Sequence, residues 1–321
     1  MAFVGGKPTE LDPLTLEARG VVGVPVEAAR VGLGQPLSTP SSAALLGFDE
    51  EESGATIWLS QADGARELGT FSGALGASVL PFGCLVFASD QGERWAFAKS
   101  AGGFAPSKPC PRPTSLRAVS IGSAGATVEA IGPDADGLMS SIAVRVEDGA
   151  LASCEWTPLE VSASVDARLV EIASPSSRAI VDIVAGELVV TPLDGMRGGG
   201  AARVLAASAH LESAVAVSSD DGGTTIFALA SSPPILHAVR VSPSGEGVGL
   251  VATDATSVAL EGSPARADRV PSSDLAVVGD RIFVTTSAGL RVFTTETAPF
   301  GVTLVTSRAD VTGPIALVAA D

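Results

Sequence analysis

"LAVVGDRIFVTTSAGLRVFTT", residues 275–295, decides the fold. It reads as an apolar strand, a Gly-Asp turn, an apolar strand, an Ala-Gly turn and a third apolar strand. The strands are Val/Ile/Leu/Phe/Thr runs without polar alternation. Extended through "FGVTLVTS", the stretch is one unit, a meander of three or four short strands.

The same order recurs upstream. Residues 42–73 read as strand, loop, strand, Ala-Asp-Gly turn, strand. Residues 78–107 repeat it around Asp90-Gln91-Gly92, residues 116–157 around Glu147-Asp148-Gly149, and residues 168–195 around Ala185-Gly186. Residues 212–247 do so again around Asp220–Gly223. Successive units lie about 40 residues apart, the size of a propeller blade. The remaining strands suggest one more unit. "GPIALVAAD" (313–321) supplies one strand, while "AFVGG" and "TELDPLTLEARGVVGV", with a turn at Asp12–Thr15, supply three. Pairing Ile315–Val318 with Ala2–Gly5 would leave no open sheet edge. Helical periodicity is nearly absent; Val26–Arg30 and Gly200–Ser208 are the short helical candidates.

These units, above all "VVGDRIFVTTSAGLRVFTT" and "LDPLTLEARGVVGV", resemble the superfamily of seven-bladed β-propellers of the YVTN, quinoprotein-like and WD40-like kind. The resemblance implies an all-β fold with seven blades of mostly four antiparallel strands. A blade shared by the N- and C-terminal strands would close it, making residues 1–321 a single domain. The Trp-Asp and Gly-His signatures of WD40 repeats and a clean YVTN tetrapeptide are missing.

Composition narrows the function. The formal charge is −16 with 20 Lys and Arg against 36 Asp and Glu, which argues against nucleic-acid binding. Charged residues make up only 17% of the chain, and mean hydropathy is +0.38. That balance suits a subunit that packs against neighbours. The only tight acidic run, Asp49-Glu50-Glu51-Glu52, reads as a solvated loop. The start, "MAFVGGKPTELDP", shows no basic or apolar signal region. Cys84, Cys110 and Cys154 form no metal-type pair. Both features point to a reducing, cytoplasmic setting. Residues 68–89 carry one uncharged run long enough to span a bilayer, but Pro81-Phe82-Gly83 divides it, so two buried strands are expected in place of a membrane span.

No stretch carries a specific chemistry. A Ser-His-Asp triad needs a histidine, and only His210 and His237 exist. His237, in "PPILHAVRV", reads as a structural strand residue, and His210 as a surface residue in a connection. Asp134-Ala135-Asp136-Gly137 lacks the spacing of a calcium loop and reads as a turn. "GEGVGL" (245–250) has no helix behind it for dinucleotide binding. "DGMRGGG" (194–200) lacks the Lys-Ser/Thr of a phosphate loop and reads as a link between blades. Trp58, Trp95 and Trp156 read as core residues. No catalytic, metal or cofactor residue is therefore assigned. The expectation is a non-enzymatic, protein-binding scaffold propeller within a larger assembly, with no nucleic-acid partner and no membrane insertion. The composition is also compatible with a homo-oligomer. The alternative is a propeller-type hydrolase or lyase with an axial cation held by carboxylates such as Asp49 or Asp274.

Overall fold

The structure, a computed structural model, describes residues 2–4, 7–21, 30–33, 35–36, 44–48, 54–61, 64–72, 74–80, 83–88, 94–99, 108–109, 117–120, 127–133, 139–147, 150–159, 161, 163–164, 166–172, 178–193, 201–218, 222–244, 249–264, 274–297, 299–312 and 315. Among these the protein is all strand and connection, with no helix.

Turn chemistry sets the local pairing. Val184 pairs with Glu187 across Ala185-Gly186, whose φ values of 52° and 81° are the two left-handed positions of a two-residue hairpin. Val278 pairs with Arg281 across the expected Gly279-Asp280 turn. The Ala-Gly turn falls one residue early: Thr286 pairs with Gly289, leaving Ser287-Ala288 as the loop. Gly289 then opens the next strand at φ 116°, where any Cβ would run into the backbone of Arg308 and Ala309. At Asp12, the carboxylate accepts from the backbone N–H of Leu14 (2.7 Å) and Thr15 (2.9 Å), and Arg19 pairs with it. These contacts hold the acid's pKa at about 2, with the two backbone donors as the main cause.

The hairpins build antiparallel sheets. The described strands within residues 117–158, 168–205, 210–259 and 275–308 each form a four-stranded meander in sequence order. Residues 30–72 form another, and residues 74–109 form a sheet that also takes Gln35–Pro36 as a parallel strand. Residues 2–21 make three strands, and Val4 bridges Val311. Ile315 is buried in the same apolar cluster as Ala2, while the rest of the expected Ile315–Val318 strand lies outside the described residues.

Two expectations need correction. The helical candidate Gly200–Ser208 contains the strand Ala202–Leu205, paired with Glu187–Val190. Ladder hydrogen bonds and burial of Ala202 against the next sheet outweigh the helix preference of an alanine-rich segment. The uncharged 68–89 stretch is shared by three strands, Gly64–Ser72, Ala74–Leu80 and Gly83–Ala88, where two were expected. Of the other helical candidate, Val26–Arg30, only Arg30 is described, and it opens a strand. No helix among the described residues is long and apolar enough to cross a membrane.

The core lies between sheets. In the strand Thr224–Ser231, Ile226, Ala228 and Ala230 face the 168–205 sheet, where they meet Val181, Leu188 and Val190. Phe227 and Leu229 face the opposite way, toward Leu275, Ile282 and Phe293 of the 275–308 sheet. Strand side chains alternate, so a strand covered on both faces must be apolar at every position. That explains the unbroken apolar runs. The 275–308 sheet does the same: Ile282 and Val284 face one way, while Phe283, Leu290 and Val292 face Ala2 and Leu16. The last four-stranded sheet thus packs on the first three strands of the chain.

Trp58 is buried, as expected, on the strand Gly54–Gln61. The side chains of Trp95, Trp156, Cys84 and Cys154, and all of Cys110, lie outside the described residues.

Candidate functional site

A meander brings the start of its first strand and the end of its second to one edge of the sheet. First strands of consecutive sheets also lie side by side: Arg117–Ser120 with Arg168–Glu171, that strand with His210–Ser218, and that one with Leu275–Val278. The starts of these strands therefore gather, and a set of polar contacts lies there.

His210 opens its strand and is half-exposed, with Nδ1 3.0 Å from Oδ2 of Asp166 in the connection that leads into the preceding sheet. Arg168 donates through Nε to the Glu212 carbonyl at 2.9 Å, and its other nitrogens reach the carbonyls of Glu212, Asp166 and Ala167. The guanidinium thus serves as a clamp between two first strands. Ser231, directly across the ladder from His210, donates its hydroxyl to the Glu212 carboxylate. A serine, a histidine and an aspartate therefore meet, but the serine proton points to Glu212. A nucleophile needs that proton directed at its base.

Just behind this cluster, Asp182 is 3% exposed. Its carboxylate accepts from Ser164 N and Oγ, each at 2.6 Å, and from Ile183 N at 2.8 Å. It fixes the connection that carries Asp166. In the next interface, Thr286 Oγ1 donates to the Glu261 carbonyl (2.8 Å), and Arg291 pairs with the Glu261 carboxylate (2.6 Å). Asp274 is buried beside the first strand of the 275–308 sheet, and its carbonyl accepts from Thr285 N. Asp49, Asp134 and Asp136 lie outside the described residues, as do 194–200 and most of 245–250. Among the described residues, no three His, Cys, Asp or Glu are grouped so as to hold a metal ion.

His237 is on a strand, as expected, and buried. Its Nδ1 lies 2.7 Å from Ser257 Oγ, and burial pushes its pKa below the usual 6.5.

The sequence reading missed the contacts of His210 and Arg168. A signal was available: Asp166–His210 and Arg168–Glu212 are each 44 residues apart, close to the repeat spacing. In a stacked array, positions one period apart become neighbours.

No protein-family model and no curated relative matches the chain. Solved structures match it in fold. A functionally unknown protein from Desulfotomaculum acetoxidans superposes with a TM-score of 0.57 at 12% identity, covering 97% of this chain and 95% of that one. A protein from Lactobacillus plantarum gives 0.53 at 12% identity, with 98% and 96% covered. Sqt1 of Saccharomyces cerevisiae gives 0.52 at 10% identity, with 87% and 74% covered.

Proposed function

We propose that residues 1–321 form one closed seven-bladed propeller that acts as a non-enzymatic, protein-binding scaffold. Among the described residues the sheets number seven, the later consecutive sheets share apolar interfaces, and the last packs on the first. A ring accounts for that order. The four-strand repeat and the fold-level likeness over nearly the whole chain support it.

The binding role rests on the fourth strands. Ala202–Leu205, Leu250–Ala259 and Phe300–Arg308 stand at the free edges of their sheets. Leu205 is 87% exposed, Leu304 51% and Val305 50%. Phe300–Arg308 is nine residues long with one charge, at its end. A long, uncharged edge with exposed apolar side chains is a surface for another protein chain.

The test has two parts. Elemental analysis of purified protein should find no stoichiometric cation. In the native cell, a photo-cross-linking residue at position 304 should capture a discrete partner that the same residue at position 222 does not. A stoichiometric ion would replace the scaffold reading with the axial-cation enzyme. Equal, diffuse labelling at both positions would remove the partner-binding edge.

A further inference from the structure

We propose that residues 12–17 are a strap that fastens the first sheet across the last and releases as a unit, ahead of the unfolding of the sheets beneath. The inference stands on the contacts themselves and does not depend on the scaffold reading.

The conformation of the strap is unusual. Leu16 has φ 60°, a left-handed backbone that side chains other than Gly, Asn and Asp adopt at a cost. Ala185 shares that region in its two-residue hairpin; Leu16 ends the hairpin loop between Lys7–Leu11 and Ala18–Val21, which the Asp12 N–H closes by donating to the Glu17 carbonyl at 2.9 Å. Bonds within the loop set the conformation, and the last sheet holds it. Leu16 N donates to the Asp12 carbonyl at 2.8 Å. Its side chain is 5% exposed, buried among Phe283, Leu290 and Val292. Its carbonyl accepts from Arg308 Nη1. The Leu14 carbonyl accepts from Arg281 Nη1 at 2.8 Å, and that nitrogen also reaches the Pro13 carbonyl. Both arginines belong to the 275–308 sheet, so two cations hold the backbone of the strap from below.

Arg308 does more than grip. Its Nε donates to Asp310 Oδ1 at 2.9 Å, and its Nη2 pairs with Oδ2. One guanidinium therefore fixes the turn that leads to Val311, the partner of Val4, together with the strap. Losing the strap loosens both attachments of the first sheet. The outer side of the strap faces water, and Leu14 is 67% exposed. A strained segment with a wet outer face and a few inner ties is the kind of element that opens locally. Opening would withdraw Leu16 from the apolar cluster of Ala276, Phe283, Leu290 and Val292, which Ala2, Val311 and Ile315 also cover.

The test is hydrogen exchange followed by mass spectrometry on the full chain and on the double variant Arg281→Ala/Arg308→Ala. Peptides from residues 2–21 should exchange at least tenfold faster in the variant, while those from 210–259 keep their protection. Unchanged exchange in 2–21 would overturn the proposal. Should the variant not fold, the unaltered chain in sub-denaturing urea decides. Exchange in 2–21 should depend on urea less steeply than in 210–259; one common rate and slope for both regions would overturn the strap.

Discussion

Replacing Gly289 with alanine should destabilise the protein more than replacing Gly186, although both glycines have positive φ. At Gly186, φ is 81° and an added Cβ meets nothing within 4 Å. The cost there is backbone strain alone, about 1–2 kcal/mol, reduced by about 0.5 kcal/mol through the stiffer unfolded chain. At Gly289, φ is 116°, and the Cβ would sit 2.4 Å from the Arg308 carbonyl oxygen and 2.7 Å from the Ala309 α-carbon. Both obstacles are backbone, so no side chain can swing aside. The strand Phe300–Arg308 must shift, which adds about 1–3 kcal/mol. Gly289→Ala should therefore lose about 1–3 kcal/mol more than Gly186→Ala. Urea unfolding followed by tryptophan fluorescence measures the difference through the midpoints, provided the slopes agree. Equal losses, or the larger loss at Gly186, would refute the close approach of Gly289 to the following strand.

Three further outcomes are expected. His237 has a lowered pKa, so the unfolded state takes up a proton that the folded state resists; stability should fall as pH drops below about 6.5, by at most about 1.4 kcal/mol per pH unit, and His237→Gln should flatten that slope in denaturant midpoints measured across the range. Asp12, also lowered, should contribute stability that is full above its unfolded value of 3.8 and lost as pH falls toward about 2; acid titration of Asp12→Asn, followed by circular dichroism, should show less loss in that window than the unaltered chain. Asp182→Ala should cost about 1–3 kcal/mol in urea midpoint stability, because it strands the buried Ile183 N–H and the half-buried donors of Ser164, and a change under about 0.5 kcal/mol would show that the carboxylate does not organise that connection.

The repeat was legible because turns and apolar runs are local. Ala185-Gly186 needs no information beyond its neighbours, and neither does the alternation-free "RIFVTT". Gly200–Ser208 was misread for the opposite reason. Its four alanines favour a helix locally, and only the adjoining strand Glu187–Val190 makes it a ladder partner. The polar contacts were less accessible still. Arg168 could be matched with Glu212 only by applying the period to charged residues, having used it on apolar ones. The grip of Arg308 on Leu16 spans 292 residues of sequence and follows no period. It exists because the last sheet meets the first.

The two-faced strands have a consequence for how disturbances travel. Ala228 and Leu229 are neighbours in sequence, yet one touches the 168–205 sheet and the other the 275–308 sheet. A probe at each position would report on a different contact through the same strand. Pressure applied to the Leu229 side reaches the Ala228 side across a single backbone thickness, with no side chain intervening. The 168–205, 210–259 and 275–308 sheets are each a partition between two compartments of packing, and strain entering at one of them would pass to the next as a relay.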